Sequence, residues 1–262
     1  MSQDALRYPD FSLAGKVACV TASSRGLGKW MALALAHAGA DLAVTYREAR
    51  EEGEEVARAI RDMGRRALLT RLDAGDPQSI AAMFGAIRAE FGRLDVMVNN
   101  AGVNVPKKAL DITPADFDFV TGVNLRGTFL CCQEAARMMM TQGGGKIINI
   151  ASAAAFLVRK GISISVYATT KAGLVMMTKA LAVEWAGSHI NVNALAPGYF
   201  PTPLTEKRLQ DPKFLNSVLD STPLGRVGEP GDIMSSVLFL ATSASDFITG
   251  QTLSLDGGRT VL

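Results

Sequence analysis

The amino-acid sequence predicts an α/β chain with a doubly wound, seven-stranded parallel sheet flanked by helices. Three observations predict it. Short apolar runs and amphipathic stretches alternate from end to end. Most of the runs are continuously apolar rather than alternating, as strands covered on both faces should be. A glycine-rich turn follows the first run. Alternation of this kind builds right-handed βαβ units.

The expected strands are residues 17–21, 42–46, 67–70, 94–98, 146–150, 190–195 and 251–255. The expected helices are 27–38, 51–63, 77–91, 114–121, 124–141, 166–187 and 230–241. Several open on a plausible cap or a proline in the first turn, at Asp76-Pro77, Thr113-Pro114 and Glu229-Pro230. Linkers, repeats and low-complexity segments are lacking, so one domain is expected over 13–262, preceded by a loose arm over 1–12. The Pro-rich stretch 197–203, with the residues up to about 223, interrupts the alternation. It is the candidate mobile segment over a ligand.

Composition narrows the function. Of 262 residues, 48% are apolar and 20% charged, which fits a packed core and not disorder. The net charge of +2, without runs of one sign, argues against a nucleic-acid partner. Cys19, Cys131 and Cys132 lack Cys-x-x-Cys spacing and read as buried thiols in a reducing compartment. His37 and His189 are the only histidines, which argues against a zinc site, a Ser-His-Asp triad or any other metal site. The first residues do not read as a signal peptide, and no apolar run approaches the ~20 residues of a membrane span. A cytoplasmic protein without a membrane partner is the expectation.

Two local patterns carry chemistry. Tyr167 and Lys171 lie four residues apart in an expected helix, so they share a face one turn apart. An ammonium beside a phenol favours the phenolate, which would make a proton donor and acceptor for an alcohol or ketone. The same spacing occurs on many solvated helices. The second pattern is Thr21-Ala22-Ser23-Ser24-Arg25-Gly26-Leu27-Gly28, between the first strand and first helix. Gly26 and Gly28 would let the backbone turn tightly and approach a pyrophosphate at the helix N-terminus. An ordinary strand-to-helix turn is the other reading.

Together these motifs resemble the short-chain dehydrogenase/reductase family, over essentially the whole chain. Its Thr-Gly-x-x-x-Gly-x-Gly turn is matched at Thr21, Gly26 and Gly28. Asn99-Asn100-Ala101-Gly102 matches its Asn-Asn-Ala-Gly signature. Asn124, Ser152, Tyr167 and Lys171 stand at its catalytic positions. Pro197-Gly198 follows the sixth strand, Thr202 stands where a nicotinamide-contacting threonine often does, and Asp256-Gly257-Gly258 matches the last strand end. Two departures stand out. Ala22 replaces the first glycine, which penalises positive φ and is expected to weaken cofactor binding without abolishing it. Ser152 precedes Tyr167 by fifteen residues instead of the usual thirteen, so the extra length should bulge out within 158–163. Ser163 is a distant rival for the serine's role.

The resemblance implies a single-domain Rossmann fold and hydride transfer between a nicotinamide dinucleotide and a secondary alcohol or ketone. Tyr167 would exchange the proton. Lys171 would lower the phenol pKa and hold the nicotinamide ribose, Ser152 would polarise the carbonyl, and Asn124 would keep a water chain to Lys171. Ser152 also reads as a strand-end cap and Asn124 as a helix N-cap. Asp73 reads equally as an adenine-side contact or a turn residue. Thr21, Ser23, Ser24, Arg25, Gly26, Leu27, Gly28, Tyr46, Arg47, Asp73, Asn100, Ala101, Gly102, Tyr167, Lys171, Pro197, Gly198 and Thr202 are the expected cofactor contacts. Tyr46 stands where NAD-dependent members usually carry an aspartate. With Arg25 and Arg47 nearby, NADP is expected over NAD. Glu48 tempers this, because it can pair with Arg47.

The substrate pocket is expected from 103–107, 153–166 and 199–219, with Arg159 and Lys160 available to an anionic group. Sugar or polyol dehydrogenases of the gluconate-5-dehydrogenase kind and 3-oxoacyl-carrier-protein reductases are the nearest members in pattern. Turnover-free binding, as a dinucleotide sensor or scaffold, is the alternative. Met138, Met139, Met140, Met176 and Met177 read as core. A homotetramer follows from the resemblance alone.

Overall fold

The computed structural model describes residue 8 and residues 10–261, so most of the expected 1–12 arm lies outside the described residues. Seven parallel strands form one sheet in the order β3-β2-β1-β4-β5-β6-β7. They are β1 (Val17–Val20), β2 (Asp41–Tyr46), β3 (Ala67–Arg71), β4 (Val96–Asn99), β5 (Gly145–Ile150), β6 (Ile190–Pro197) and β7 (Thr252–Leu255). The chain runs outward from β1 to β3, then returns to β4 on the other side of β1. The crevice at this reversal is where open α/β sheets hold ligands.

The unbroken apolar character of the strands has a direct structural cause. In β1, Val17 and Cys19 pack into one core, while Ala18 and Val20 pack into the core on the opposite face. The first core is filled from α3 (Pro77–Phe91), α5 (Thr128–Met140) and α6 (Ser165–Trp185). The second is filled from α1 (Gly26–His37), α2 (Arg50–Asp62) and α9 (Pro230–Ala241). Met97, Met139 and Met31 are fully buried, each worth about 1.5–3 kcal/mol of transfer free energy. Strand β7 departs from the pattern: Leu253 and its neighbour Ser254 are exposed at the sheet edge.

Two expectations are corrected. The helices expected at 114–121 and 124–141 are not separate. α4 (Pro114–Thr121) runs through a π-helical stretch, Gly122–Gly127, directly into α5. No proline breaks the run, and Gly127 lets it lie against the chain after β3. A Cβ there would fall 2.0 Å from the Ala74 carbonyl oxygen. Asn124 therefore sits inside a π turn instead of at a helix start, and such turns often mark functional sites. Second, the interruption at 197–223 contains α7 (Glu206–Leu209) and α8 (Pro212–Asp220). The signal for α8 was present in Asp211-Pro212, because the Asp211 carboxylate caps Lys213 N–H at 3.0 Å.

The turn after β1 carries strain. Ala22 has φ +52°, in the left-handed region, which costs an L-residue with a Cβ roughly 1–2 kcal/mol. Ala22→Gly should relieve this, less the extra chain entropy of glycine in the unfolded state. The expected result is a gain of up to about 1 kcal/mol, or roughly 2–4 °C in Tm for a chain of this size. An unchanged or lower Tm in thermal denaturation would contradict it.

Candidate active site

The reversal between β1 and β4 opens into a cavity of about 920 Å³, within the range of small-molecule sites. Its walls come from the C-terminal ends of the central strands and from the 197–223 segment. At one end, Arg25, Gly26 and Leu27 present the start of α1. That helix has neither a side-chain cap at its N-terminus nor an acidic residue in its first turn. Its free N–H groups suit a pyrophosphate. The cavity's size and this uncapped start both fit a nicotinamide dinucleotide.

The expected cofactor contacts divide into lining and supporting residues. Ser24, Arg25, Gly26, Leu27, Arg47, Asp73, Asn100, Ala101, Gly102, Tyr167, Lys171, Pro197, Gly198 and Thr202 line the cavity. Thr21 and Gly28 sit beneath it. The Thr21 hydroxyl accepts from the N–H groups of Asn100 and Ala101, both at 2.8 Å. The Asn100 side chain donates to the carbonyls of Thr21 (2.9 Å) and Ala22 (3.2 Å). Gly28 permits this packing, since a Cβ would fall 2.3 Å from the Ala22 carbonyl oxygen.

Two expected contacts are corrected. Ser23 is fully buried and faces the sheet. Its hydroxyl donates to Val20 O and accepts from Thr45 N–H, and its own N–H donates to Thr45 O. Its hydroxyl and its N–H are thus both engaged by the sheet. Tyr46 ends β2 and does not line the cavity; Arg47, Glu48 and Ala49 do. The cavity lining on this side therefore begins one residue beyond the strand end.

Both arginines of that region have carboxylate partners. Arg47 pairs with Glu48 at 3.1 Å, as the sequence suggested. Arg25 pairs with Glu52 at 3.7 Å, a partner missed because it lies in the first turn of α2, far from Arg25 in sequence. All four side chains are largely exposed, so these pairs hold the guanidiniums only weakly. Asp73 is a turn residue, its Oδ1 accepting from Gly75 N–H at 2.9 Å, and it also lines the cavity.

At the other end stand Tyr167, Lys171 and Ser152. α6 carries the first two, and Ser152 leaves β5 to cap a short 3-10 turn, accepting from Ala154 N–H at 3.1 Å. Lys171 is buried, with its Nζ donating to Ile150 O at 2.7 Å and lying 5.6 Å from the Tyr167 ring centre. The extra two residues before Tyr167 do bulge outward: Val158, Lys160 and Gly161 are exposed. Ser163 does not line the cavity, and neither does Lys160; Arg159 does.

The acidified phenol expected from the sequence is not what this geometry produces. Burial pushes the Tyr167 pKa up, and the Ser152 hydroxyl offsets this only in part. Burial also pushes the Lys171 pKa down, to about 8. The desolvation that comes with pairing the two side chains penalises both charged forms. Asn124 is buried and does not line the cavity. Its Oδ1 accepts from Val103 N–H at 2.8 Å, while Nδ2 donates to Val103 O at 2.9 Å and to Thr170 Oγ1 at 3.0 Å. It thus ties the loop after β4 to α6 and acts as a positioning residue.

Side chains that the sequence reading did not single out complete the cavity wall near Tyr167. Tyr199 and Phe214 meet edge to face at 5.5 Å, and Arg208 and Arg259 join Arg159 in the wall. Tyr199 and Phe214 fall within the expected 199–219 stretch. Arg259 does not, and no local motif marks it.

A cavity at a strand-order reversal, with a helix start at one end and an ionisable hydroxyl group at the other, defines a dinucleotide-dependent oxidoreductase. Comparison with known proteins agrees. The family model described as enoyl-(acyl carrier protein) reductase, a short-chain dehydrogenase/reductase model, matches residues 21–260. The 2-dehydro-3-deoxy-D-gluconate 5-dehydrogenase of Escherichia coli (strain K12) is 42% identical over 250 residues, 95% of this chain and 96% of that protein. A 3-oxoacyl-(acyl-carrier-protein) reductase of Staphylococcus aureus (strain Mu50) is 36% identical over 243 residues, 93% of this chain and 97% of its own. The crystal structure of a gluconate 5-dehydrogenase from Burkholderia cenocepacia J2315, in complex with NADP and tartrate, superposes with a TM-score of 0.91. It shares 38% identity and covers 97% of this chain and 98% of its own. The chain belongs to the short-chain dehydrogenase/reductase family, whose members are nicotinamide-dependent oxidoreductases.

Burial of Lys171 makes stability depend on pH. In the unfolded chain the lysine keeps its proton up to about pH 10.4. In the folded protein it releases the proton above about pH 8. Between these values the unfolded state binds more protons, so stability rises with pH. The expected rise is about 2–3 kcal/mol between pH 8 and 10, read from urea unfolding without cofactor. Lys171→Met should flatten it; an equal rise in the variant would contradict the assignment.

Proposed function

We propose that the protein interconverts a secondary alcohol and a ketone on a sugar-acid or polyol substrate, with a preference for NADP(H) over NAD(H). The observation that carries this is the convergence of Tyr167, Lys171 and Ser152 on the cavity that opens at the start of α1. The substrate class draws support from the Escherichia coli and Burkholderia relatives. The cationic Arg159 in the wall adds to it.

The start of α1, Ser24, Arg25, Arg47, Asp73, Ala101, Gly102, Pro197, Gly198 and Thr202 would hold the dinucleotide, which supplies or takes the hydride when bound. Arg25 and Arg47 can turn from their weak carboxylate pairs to a ribose 2′-phosphate, where a guanidinium makes bidentate bonds. Tyr167 gives a proton to the carbonyl oxygen in reduction and takes one from the alcohol in oxidation. Its raised pKa keeps the phenol protonated at neutral pH, the form that reduction needs. Ser152 donates to the oxygen that gains charge. Lys171, fixed by Ile150 O, directs its remaining N–H groups to ribose hydroxyls. Residues 197–223 form the wall over the substrate. Thr202 and Pro203 lie 3.5 Å from where a Gly26 Cβ would stand, so this wall rests on the glycine turn.

A homotetramer is proposed with it. Phe117, Phe119, Phe129, Met176 and Val183 on α4, α5 and α6 are exposed, as is Leu253 on the edge strand β7. Exposed apolar side chains at two places, on these helices and on the edge strand, suit two different interfaces. Met138 and Met139 are core, as expected from sequence, but Met140 and Met176 are exposed. A cytoplasmic location is part of the proposal; among the described residues no helix is long and apolar enough to cross a membrane.

Tyr167→Phe tests the chemistry. Turnover should fall by about 10²–10⁴-fold, with NADP(H) binding retained. Full activity in the variant would exclude this role for the phenol. A wild type that binds cofactor but turns over no ketone or alcohol would favour a sensor or scaffold. Arg47→Ala should raise KM for NADP(H) roughly tenfold and leave NAD(H) nearly unchanged. Equal loss for both cofactors would remove the 2′-phosphate contact. Oxidation should accelerate as pH rises toward the phenol pKa, because the base form is then populated, while reduction should not.

A further inference from the structure

The geometry points to Arg259 as the anchor for a carboxylate on the substrate, an inference that rests on the oxidoreductase reading only in taking this cavity as the substrate's. Arg259 opens the last 3-10 turn, Arg259–Val261, and lines the cavity. It is only 4% exposed. Its Nη1 is buried with no hydrogen-bond partner among the described residues, and no carboxylate there lies within ion-pair distance of it. A buried cation in this condition is costly unless a ligand pairs with it.

The surroundings hold the guanidinium in place, and Asp256 acts on its charge only from beyond ion-pair distance. Its Cζ lies over the Tyr199 ring, 4.8 Å from the ring centre, a contact that positions a cation without neutralising it. The nearest acid in sequence, Asp256, spends its two oxygens on Gly258 N–H (3.0 Å) and Thr260 N–H (2.8 Å). It builds the turn that aims Arg259. Arg159 faces the same space and repels Arg259. Its own guanidinium is tied to Ser217 through the carbonyl (3.1 Å) and the hydroxyl (2.9 Å). The acidic residues that line the cavity are Glu48 and Asp73, both at the β2 and β3 ends. The end near Tyr199 therefore carries an excess of positive charge. A planar carboxylate fits the free fork of Arg259.

The test compares D-gluconate with D-glucitol, which has the same carbon length and no charge, for binding to the full-length protein saturated with NADP. Gluconate should bind on the order of 10- to 100-fold more tightly. Arg259→Met should abolish that difference and leave NADP affinity unchanged, while Arg259→Lys should keep part of it. Equal binding of gluconate and glucitol by the wild type would overturn the proposal, and this arm does not depend on any variant folding. An intact gluconate preference in folded Arg259→Met would also overturn it. Loss of NADP affinity in either variant would assign the guanidinium to the cofactor instead, with the same consequence. Ketone reduction by the wild type is measured in parallel. Its absence, with the gluconate preference intact, would sink the oxidoreductase reading and leave the anchor standing.

Discussion

The site depends on how the ends of β1 and β4 are locked together. These neighbours in the sheet are separated by more than seventy residues of chain, and the crevice exists because the strand order reverses between them. Thr21 and Asn100 close the joint with four hydrogen bonds between side chain and backbone. This explains why two motifs distant in sequence occur together. The glycine turn presents the helix start, and the Asn-Asn-Ala-Gly turn fixes the height at which that start sits. The polar chain continues from Val103 through Asn124 to Thr170, whose hydroxyl donates to Tyr167 O at 2.7 Å. The turn after β1 and the start of α6 are thus both tied to the loop after β4.

Burial then sets the chemistry. The phenol and the ammonium are brought together in a desolvated wall, and desolvation opposes the charge on each. A protonated phenol beside a lysine that titrates near pH 8 is the state that the proposed reduction would use. The same physics acts on Arg259, whose pKa burial lowers. Arginine keeps its charge regardless. The protein thereby retains a cation where lysine would lose its proton more easily.

Much of the fold was legible because its signals are local and redundant. Strands buried on two faces leave continuous apolar runs, and helices announce themselves through Asp-Pro, Thr-Pro and Glu-Pro starts. The fusion of α4 and α5 was not legible, since a π turn uses the same residues as an α-helix and depends on Gly127 meeting Ala74. At the site, residue types and order located the wall but not the direction of each side chain. Ser23 lies within the glycine motif yet faces Thr45, because the strand end needs its hydroxyl more than a ligand does. Tyr46 and Arg47 differ by one residue, but Tyr46 ends β2 while Arg47 opens the loop whose residues 47–49 line the cavity. Arg259 was invisible for a different reason. It is brought to the cavity by the close approach of β6 and β7, where a Cβ on Gly198 would fall 2.9 Å from the Asp256 Cα.

The most direct test of the central claim is a crystal structure of the protein with NADP(H) and a candidate hydroxy acid. The account predicts the 2′-phosphate near Arg47, the pyrophosphate at the start of α1, and the Tyr167 hydroxyl within hydrogen-bond distance of the substrate oxygen. A dinucleotide lying elsewhere, or a phenol turned out of the crevice, would contradict it.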